Sequence, residues 1–416
     1  MYNKHMNNQK IQPQTLKGFR DFLPEKAIKR NYLKDKIREV FELYGYDPLE
    51  TPALEYLEIF QGQIGEDEKL FFKFQDQGNR LVALRFDQTV PTARVIAQYP
   101  DKITLPFKRY QIQLAWRAEK PQKGRYREFI QCDADIFGIE GPEADAEVIS
   151  LGMDIYKSLG FKEIRCLIND RVLYENIPYP VITSIDKLKK IGRENVIKEI
   201  IGKGFNKVEA ENYFTKVSSF QPTEKIKIIL DYLKKAGFPD SWYQFEPTLA
   251  RSFSYSTGPI WEIEIPGFDG GSVLGGERYD KLVGKFSGKD IPATGFGLGF
   301  DRTLEAAEEL NLLPIKKTAA FVLVTIFSKD LLNKSLEITS LLRQAKINTE
   351  IYTDPSVRLD KQLKYADKKG IPFVIIIGPE EAEKEKLTIK NMLSKSQSNK
   401  SVEEFILEVQ KSKFTI

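Results

Sequence analysis

The sequence predicts an α+β protein in which a mainly antiparallel sheet domain is interrupted by a helical insertion and followed by a smaller α/β domain. Runs of strand character occur within residues 1–168 and resume over 246–314, which indicates one discontinuous sheet domain. Residues 169–245 are mostly helical and rich in lysine, as expected for an insertion. Residues 319–416 alternate strand, helix, strand, helix, strand, a pattern typical of parallel strands. A chain of 416 residues is long enough for two or three such domains.

Local patterns predict the individual elements. Residues 24–44 begin at a proline, carry apolar residues at helical spacing and stop before Gly45, so they predict an amphipathic helix. The apolar runs on either side of QDQGN predict a β-hairpin. A strand, charged loop and strand follow from Phe107 to Gly138, and a helix begins at Glu143. GGSVLGGERYD predicts a glycine-rich turn, and GFGLGFDRTL a strand that runs into a helix.

Composition restricts the class of protein and its compartment. Hydrophobic residues make up 41% of the chain, yet no apolar run approaches the roughly 20 residues that span a bilayer, so we expect no membrane protein. The polar N-terminus MYNKHMNNQKIQPQ carries no export signal, and we expect a cytoplasmic protein. Cys132 and Cys166 lack metal-ligand spacing and are expected to be reduced thiols. The only histidine, His5, lies in the N-terminal tail, so catalysis is expected to use other groups.

The charged hairpin between Phe107 and Gly138 is the most informative segment for function. Alternation along strands lets Arg117 and Glu119 point to one face, and likewise Arg125, Arg127 and Phe129. Guanidinium groups hold phosphate oxygens through paired hydrogen bonds, and an aromatic ring can stack on a base, so this face suits a nucleotide. A solvated hairpin with surface salt bridges is the alternative interpretation of the same pattern.

Two later segments each place an arginine beside small residues. These are RSFSYSTGPIWEI, which begins at Arg251, and GFGLGFDRTL, which contains Arg302. In the second segment Gly295, Gly297 and Gly299 alternate along one face of a strand, which leaves room for a flat ligand over the backbone. Close packing of that strand against another element is the alternative.

Six segments in the same order resemble class II aminoacyl-tRNA synthetases, and in detail the histidyl-tRNA synthetase family, along nearly the whole chain. The first three are KGFRDFLPEKA (17–27), similar to the N-terminal signature, LRFDQTVPTAR (84–94), similar to the amino-acid-binding turn, and KRYQIQLAWRAEKPQKGRYREFIQCDADIFG (108–138), similar to motif 2. The last three are ARSFSYSTGPIWEI (250–263), similar to the histidine-specific segment, GFGLGFDRTL (295–304), similar to motif 3, and KQLKYADKKGIPFVIIIG (361–378), similar to the C-terminal anticodon-binding domain.

The resemblance implies roles for named residues. For ATP it implies Arg117 at the α-phosphate, Glu119 at the adenine edge, Phe129 at the adenine face, Arg302 at the γ-phosphate, and Arg127 nearby. For histidine it implies Asp87, Gln88, Thr89 and Gln131 around the α-ammonium group, Asp135 at the imidazole, and Tyr255 and Ser256 beside it. Arg251 is implied as the leading catalytic residue, between the histidine carboxylate and the α-phosphate, with Arg117 as its partner.

The implied reaction is ATP-dependent activation of histidine followed by its transfer to the 3′ end of tRNA(His). Histidine attacks the α-phosphorus to give histidyl-adenylate and pyrophosphate, with Mg²⁺ assisting at the β- and γ-phosphates. The resemblance implies no protein-bound metal site and no protein nucleophile, which agrees with a chain that has one terminal histidine.

The sequence departs from the family pattern near the implied histidine site. RSFSYSTG stands where the family has a pattern like RGLDYYTG, so Ser254 replaces an aspartate and Ser256 replaces a tyrosine that approaches the imidazole. Glu277 stands where the family tends to have glycine, in the predicted turn. Ala134 stands where a larger aromatic residue is common. These changes are expected to affect histidine binding.

Partners and the competing function also follow from the resemblance. It implies a homodimer with residues 46–60 at the two-fold interface, acceptor-end contacts by Gln122, and anticodon contacts by residues 319–416. Four lysines in the last domain suit phosphates or, equally, a solvated helix face: Lys361, Lys364, Lys368 and Lys369. The competing functions are a catalytically inactive paralogue that acts as a regulatory subunit of histidine biosynthesis, which usually lacks the last domain, and a plain RNA-binding protein.

Overall fold

The computed structural model describes residues 11–61, 70–121, 125–251 and 255–413. His5, Gln122 and Ser254 lie outside these ranges, so the predictions made for them stay untested. The chain forms two compact units. The first consists of Met1–Asp21 with Leu33–Leu313, and the second of Phe22–Tyr32 with Pro314–Ile416.

The helices of the described residues, in chain order, are α1 (Pro24–Leu43), α2 (Leu57–Phe60), α3 (Thr89–Gln98), α4 (Pro142–Ser158), α5 (Tyr179–Ile185), α6 (Leu188–Gly202), α7 (Lys207–Ser218), α8 (Glu224–Lys235), α9 (Gly284–Ser287), α10 (Phe300–Glu309), α11 (Leu332–Gln344), α12 (Leu359–Lys369), α13 (Pro379–Glu383) and α14 (Val402–Lys413). Predicted helix starts at Pro24 and Glu143 agree with α1 and α4 to within one residue.

The strands of the same residues are β1 (Asp47–Pro48), β2 (Leu54–Tyr56), β3 (Lys73–Gln75), β4 (Leu81–Leu84), β5 (Phe107–Trp116), β6 (Glu128–Phe137), β7 (Arg165–Asp170), β8 (Tyr243–Phe245), β9 (Pro259–Glu264), β10 (Leu274–Arg278), β11 (Ala293–Gly299), β12 (Val322–Val324), β13 (Thr349–Ile351), β14 (Phe373–Ile376), β15 (Leu387–Asn391) and β16 (Gln397–Lys400). Both predicted hairpins, β3–β4 and β5–β6, are present.

An eight-stranded sheet organises the first unit, with strand order β1-β5-β6-β11-β10-β9-β7-β8. All pairs from β5 to β7 are antiparallel, whereas β1 and β8 add to the two edges in parallel. The predicted α+β fold with an antiparallel central sheet is therefore confirmed.

Helices α1 and α4 cover one face of this sheet and leave the other face for a ligand. Phe41 of α1 stacks on Tyr110 with 5.1 Å between ring centroids, and it also lies 6.2 Å from Phe296. In α4, Gly152 lies against Leu274 and other side chains of the central strands. The apolar residues that recur at helical spacing in α1 are the ones that the structure buries, among them Leu33, Ile37 and Phe41.

The prediction of a turn at GGSVLGGERYD is wrong for its second half. Leu274–Arg278 is β10, an inner strand paired with β9 on one side and β11 on the other. Glycine weakens a strand, but here the neighbours require it, because a Cβ on Gly276 would overlap the indole of Trp261. Tertiary packing thus outweighs local strand propensity.

The helices between β7 and β8 have a hydrophobic core of their own. It includes Val181, Val196, Ala210 and Val217, all fully buried. Strand β8 lies within the range predicted for the insertion, yet it pairs in parallel with β7 and so extends the main sheet.

The second unit has a five-stranded sheet of order β13-β12-β14-β15-β16. Its three strands of the predicted alternating pattern are parallel, as expected for strands joined by helices α11 and α12. An antiparallel pair, β15–β16, and helix α14 follow them. Buried side chains from both helices and sheet, such as Leu342, Ile375 and Phe405, form its core.

A three-stranded sheet of order β2-β4-β3 precedes the charged hairpin. Its register places Tyr56, Val82 and Phe74 side by side on one face, which also carries Leu54. Leu54, Tyr56 and Phe74 are exposed by 43%, 51% and 47%. Among the described residues, none of the helices is both long and apolar enough to cross a membrane.

A buried ion pair joins α4 to the sheet, and its loss is expected to destabilise the first unit. Asp145 accepts hydrogen bonds from Arg278 Nη2 at 2.9 Å and from Thr294 Oγ1 at 2.5 Å, and all three side chains are buried. Burial raises the pKa of Asp145 to about 6, so the carboxylate is charged at pH 8. Asp145→Ala leaves a buried guanidinium without its main partner and should lower the free energy of unfolding by about 3 to 5 kcal/mol.

The measurement is urea unfolding at pH 8 followed by tryptophan fluorescence, which reports on the first unit because all three tryptophans lie there. Asp231→Ala is the control, since it removes an exposed pair with Lys235 and should change the free energy by less than about 1 kcal/mol. Equal midpoints for the two variants would contradict this account of the buried pair.

Candidate active site

The uncovered face of the main sheet carries a cavity of about 390 Å³. Its floor is formed by the adjacent strands β6, β11 and β10, and its walls by residues that follow β4, by the β5–β6 hairpin, by Arg251 and by the start of α10. A cavity of this size is in the range of ligand sites, whose volumes are about 300 to 1,000 Å³.

Glycines keep the floor of the cavity free of side chains. Gly295, Gly297 and Gly299 of β11 all line it, as the alternation in the sequence predicted. Gly275 of β10 pairs with Gly297 and lines the cavity beside it. A Cβ on Gly275 would overlap the guanidinium of Arg251. The backbone of two neighbouring strands is therefore open to a flat ligand and to a large cation lying over it.

Arg251 lies over this floor between two carboxylates. Its Nη1 is 3.4 Å from Glu262 Oε1, and its Nη2 is 3.6 Å from Glu277 Oε1. Burial acts to lower the pKa of Arg251, but Glu277 and Glu262 raise it above its ordinary value. The guanidinium therefore stays charged in a largely buried position.

Three further arginines line the cavity: Arg117, Arg125 and Arg302. The guanidinium of Arg117 lies 5.1 Å from the centre of the Phe129 ring, and Arg302 Nη1 donates to the carbonyl of Ser272 at 2.7 Å. Burial lowers the pKa of Arg302, and the charges of Arg125 and Arg117 lower it further. Cations that destabilise one another in this way form a site for a polyanion such as a triphosphate.

Buried carboxylates form the remaining end. Burial raises the pKa of Asp87 to about 7 and that of Asp133 to about 8, and it also raises the pKa of Asp135. Asp135 forms an ion pair with Arg109 and accepts a hydrogen bond from the hydroxyl of Tyr279. A cationic group entering this end would favour the ionised form of these acids.

Most of the residues predicted for the site meet at this cavity. The predicted residues that line it are Asp87, Thr89, Arg117, Glu119, Phe129, Gln131, Asp135, Arg251, Tyr255 and Arg302. They come from segments separated by up to about half the chain, which only the sheet brings together.

Three predicted residues lie behind the cavity lining. Gln88 is fully buried and donates from Nε2 to the carbonyls of Gln113 and Gln131, both at 3.0 Å, so it braces the floor. Arg127 donates from Nε to the carbonyl of Glu119 at 3.1 Å. Ser256 donates to the carboxylate of Glu277.

Two residues in or beside the cavity, Asp186 and Arg20, had no predicted role. Asp186 reaches the cavity from the end of α5, and burial raises its pKa to about 6. Nothing in its local sequence distinguishes it from a surface acid. Arg20 lies 3.1 Å over the ring of Tyr126 and donates to Asp301 at 2.9 Å, so it ties the N-terminal segment to the start of α10. The match of KGFRDFLPEKA to a family signature was the available signal for it.

Comparison with protein families covers most of the chain. The family model described as histidyl-tRNA synthetase matches residues 18–191 and 194–303. The family model described as an anticodon binding domain matches residues 314–412.

Individual relatives agree with these matches. A histidine–tRNA ligase of Aeropyrum pernix is 39% identical, and the match covers 91% of this chain and 93% of that protein. A histidine–tRNA ligase of Cytophaga hutchinsonii is 34% identical over 95% of this chain and 98% of that protein. The crystal structure of histidyl-tRNA synthetase from Nostoc sp. PCC 7120 superposes with a TM-score of 0.84 at 29% identity, covering 97% of this chain and 100% of that chain.

Proposed function

The chain belongs to the histidyl-tRNA synthetase family, and we propose that it acts as a histidine–tRNA ligase through the cavity on its main sheet. The observation that carries this proposal is one cavity that is lined by Arg117, Arg251 and Arg302 together with the carboxylates of Asp87 and Asp135. ATP and an amino acid have the complementary charges: a triphosphate, and an ammonium group.

ATP is assigned to the arginine end. Arg117 and Arg302 hold the α- and γ-phosphates, and the adenine lies against Phe129 with its edge at Glu119. Arg127, which bonds the Glu119 carbonyl, holds the hairpin in place around the nucleotide. Arg117, Arg125 and Arg302 repel one another, and a bound triphosphate would neutralise their charges, which favours its binding.

Histidine is assigned to the carboxylate end. Asp87, Thr89 and Gln131 bind its ammonium group, with Gln88 fixing the backbone beneath them. Asp135 and Tyr255 line the part of the cavity assigned to the imidazole, and Ser256 stands behind it. The α-carboxylate then points toward Arg251.

The chemistry requires positioning and charge neutralisation. A carboxylate oxygen of histidine forms a bond to the α-phosphorus, the bond to the β-phosphate oxygen breaks, and pyrophosphate leaves with the electron pair. Arg251 and Arg117 stabilise the charge that builds on the α-phosphate oxygens. In the second step a ribose hydroxyl at the 3′ end of the tRNA attacks the carbonyl carbon, and AMP leaves.

Mg²⁺ is proposed to arrive with ATP. In the described ranges, no group of three or more acidic, cysteine or histidine side chains is arranged to hold a metal. Magnesium in nucleotide sites takes one or two protein carboxylates together with phosphate oxygens, and Glu119 and Glu262 line the cavity for that purpose. When bound, the ion neutralises charge on the β- and γ-phosphates.

tRNA(His) is proposed to contact the second unit and the helical segment. Lys361, Lys364 and Lys368 are exposed on α12, so they are available to phosphates. Lys369 differs, because its Nζ lies 2.6 Å from Glu350 and 2.8 Å from the Tyr365 hydroxyl. As a translation enzyme, the protein is expected to work in the cytoplasm.

The ligase is favoured over the regulatory paralogue. Arg117, Arg251 and Arg302 meet at one cavity, which a binding subunit or a plain RNA-binding protein would not require. The fold is shared with a protein from Bacillus halodurans described as an ATP phosphoribosyltransferase regulatory subunit/histidyl-tRNA synthetase, with a TM-score of 0.70 at 23% identity over 86% of this chain and 97% of that chain. That likeness concerns the fold alone.

The first experiment is ATP–pyrophosphate exchange with each of the twenty amino acids. Exchange is expected with histidine only, and Arg251→Ala should lower its rate about a hundredfold or more, because a charge-stabilising donor is lost. Arg193→Ala is the control, since that arginine is exposed and paired with Glu211 on the helical segment. Exchange with a different amino acid would overturn the assigned substrate, and no exchange from the folded protein would overturn the ligase.

Gly275→Ala tests the position of Arg251 without changing any charge. The new Cβ displaces the tip of the Arg251 side chain, which can move, so we expect a folded protein whose histidine-dependent exchange falls at least about tenfold, one factor of ten being 1.4 kcal/mol in the barrier. Gly202→Ala in α6 is the control, because a Cβ there meets no atom within 4 Å. Circular dichroism checks folding, and wild-type exchange by the Gly275 variant would count against the placement of Arg251.

A homodimer is proposed through the apolar face of β2 and β3. Leu54, Tyr56 and Phe74 form a contiguous exposed patch, and residues 46–60 contribute two of them. A two-fold partner that presents the same patch would bury these side chains. Phe74→Glu should shift the light-scattering mass from twice the chain mass toward a single chain, whereas Val208→Glu, at an exposed residue on α7, should not. A dimer that survives Phe74→Glu together with Tyr56→Glu would argue for another interface.

A further inference from the structure

Two carboxylates face each other across a glycine in the histidine end of the cavity. Asp135 of β6 pairs with Gly295 of β11, and Gly295 pairs with Glu277 of β10. Residues paired in register across a sheet project from the same face, and all three line the cavity. The acids are therefore the two ends of a slot whose floor is Gly295.

The two acids stand on strands that are separated by one strand. Two strand spacings separate the backbones of Asp135 and Glu277, which is about 9.6 Å. A Cβ on Gly295 would overlap the Asp135 carboxylate, so this carboxylate leans over Gly295 and only glycine leaves room for it there. An imidazole ring forms hydrogen bonds of about 2.9 Å at opposite edges, so it needs acids that reach it from two sides, as side chains from strands two apart can do.

Protein partners hold both acids in place. Asp135 is bound by Arg109 and by the Tyr279 hydroxyl. Glu277 is about 5% exposed, and its Oε2 accepts the hydrogen bond of Ser256. Its Oε1 forms an ion pair with Arg251 Nη2 at 3.6 Å, and a carboxylate oxygen with two lone pairs can accept from a ligand beside that guanidinium.

We propose that Glu277 is a specificity-determining residue that binds the imidazole of histidine on the ring edge opposite Asp135. The proposal rests on the assignment of histidine to this end of the cavity. Ser256 is then a positioning residue, since its hydroxyl fixes one oxygen of Glu277 and turns the other toward the ring.

The chemistry of imidazole fits two facing acids. A protonated imidazole donates from both ring nitrogens, and a neutral one donates from one nitrogen and accepts at the other. Burial raises the pKa of both Glu277 and Asp135, so one proton is readily held among the ring and the two carboxyl groups. Amino acids without two nitrogen atoms on opposite ring edges leave one buried acid unsatisfied.

Ser256 and Glu277 thus act as a pair. Ser256 and Glu277 are both departures from the family pattern in the sequence, and in the structure they are hydrogen-bonded to each other. The side chain of Ser256 is too short to contact a ligand beside Asp135. The longer side chain of Glu277 lines the cavity there instead.

The alternative role for Glu277 is to position Arg251, and Glu262 provides a matched control because it contacts the same guanidinium at a similar distance. Histidine binding to the full-length protein is measured by calorimetry without ATP, and exchange kinetics separate kcat from KM. Glu277→Gln should weaken histidine binding about tenfold or more, the effect of losing a hydrogen bond to a charged group. Glu262→Gln, which loosens Arg251 to a similar degree, should weaken histidine binding much less than Glu277→Gln does. If the two variants weaken histidine binding equally, or if both affect only kcat, Glu277 serves Arg251 and the proposal fails.

A second test uses ring-methylated histidines. Glu277→Gly opens one end of the slot, so the variant should gain exchange with one of the two N-methylhistidine isomers, whereas the other isomer stays excluded by Asp135. Ser256→Ala should weaken histidine binding by a few-fold and offers a milder variant if Glu277 changes impair folding. Equal exclusion of both isomers by a folded Glu277→Gly protein would overturn the proposal. Wild-type protein that does not bind histidine would overturn the function as well, which separates the two failures.

Discussion

The structure depends on a sheet surface that carries no side chains where its ligands must lie. Strands β10 and β11 meet the cavity at Gly275, Gly295 and Gly297, and a Cβ at any of these positions would contact a charged or polar neighbour. Glycine weakens strands, so these positions reduce the intrinsic stability of the middle of the sheet. The opposite face compensates, because Phe296 and Trp261 pack there in a closed core.

The same floor explains why opposite charges are held so close together. Arg251 can lie flat over β10 only because Gly275 has no side chain, and there it meets Glu262 and Glu277. Taking these groups out of water is costly unless they are paired. The raised pKa values of Asp87, Asp133 and Asp135 show that the carboxylate end stays incompletely compensated by the protein alone. A cationic group of a ligand is bound more tightly by such a site, because it forms ion pairs with carboxylates that lack a full set of partners in the protein.

Much of the fold followed from local patterns with a clear physical origin. The helical spacing of α1 and the QDQGN turn depend on neighbours in the sequence, and the structure has these elements where they were predicted. The predicted strand alternation is wrong for Arg117, Glu119 and Arg127, because all three lie outside β5 and β6. The glycine strand β11 was also correctly placed, since its alternation is a period-2 pattern. The segment 274–278 was missed because its glycines follow from contacts with Trp261 and Arg251, which lie elsewhere in the chain.

The sequence by itself determined the class of fold, the family and a set of site residues most of which line the cavity, because six motifs carry that information in fixed order. The sequence could not distinguish Gln88, Arg127 and Ser256 from residues that line the cavity. In the structure these three lie behind the lining residues and hydrogen-bond to the protein. Only the tertiary structure decided that Glu277 faces Asp135 across Gly295. The physical reason is strand register: residues 135, 277 and 295 become neighbours through hydrogen-bonded pairing of three strands, which no local pattern in the chain encodes.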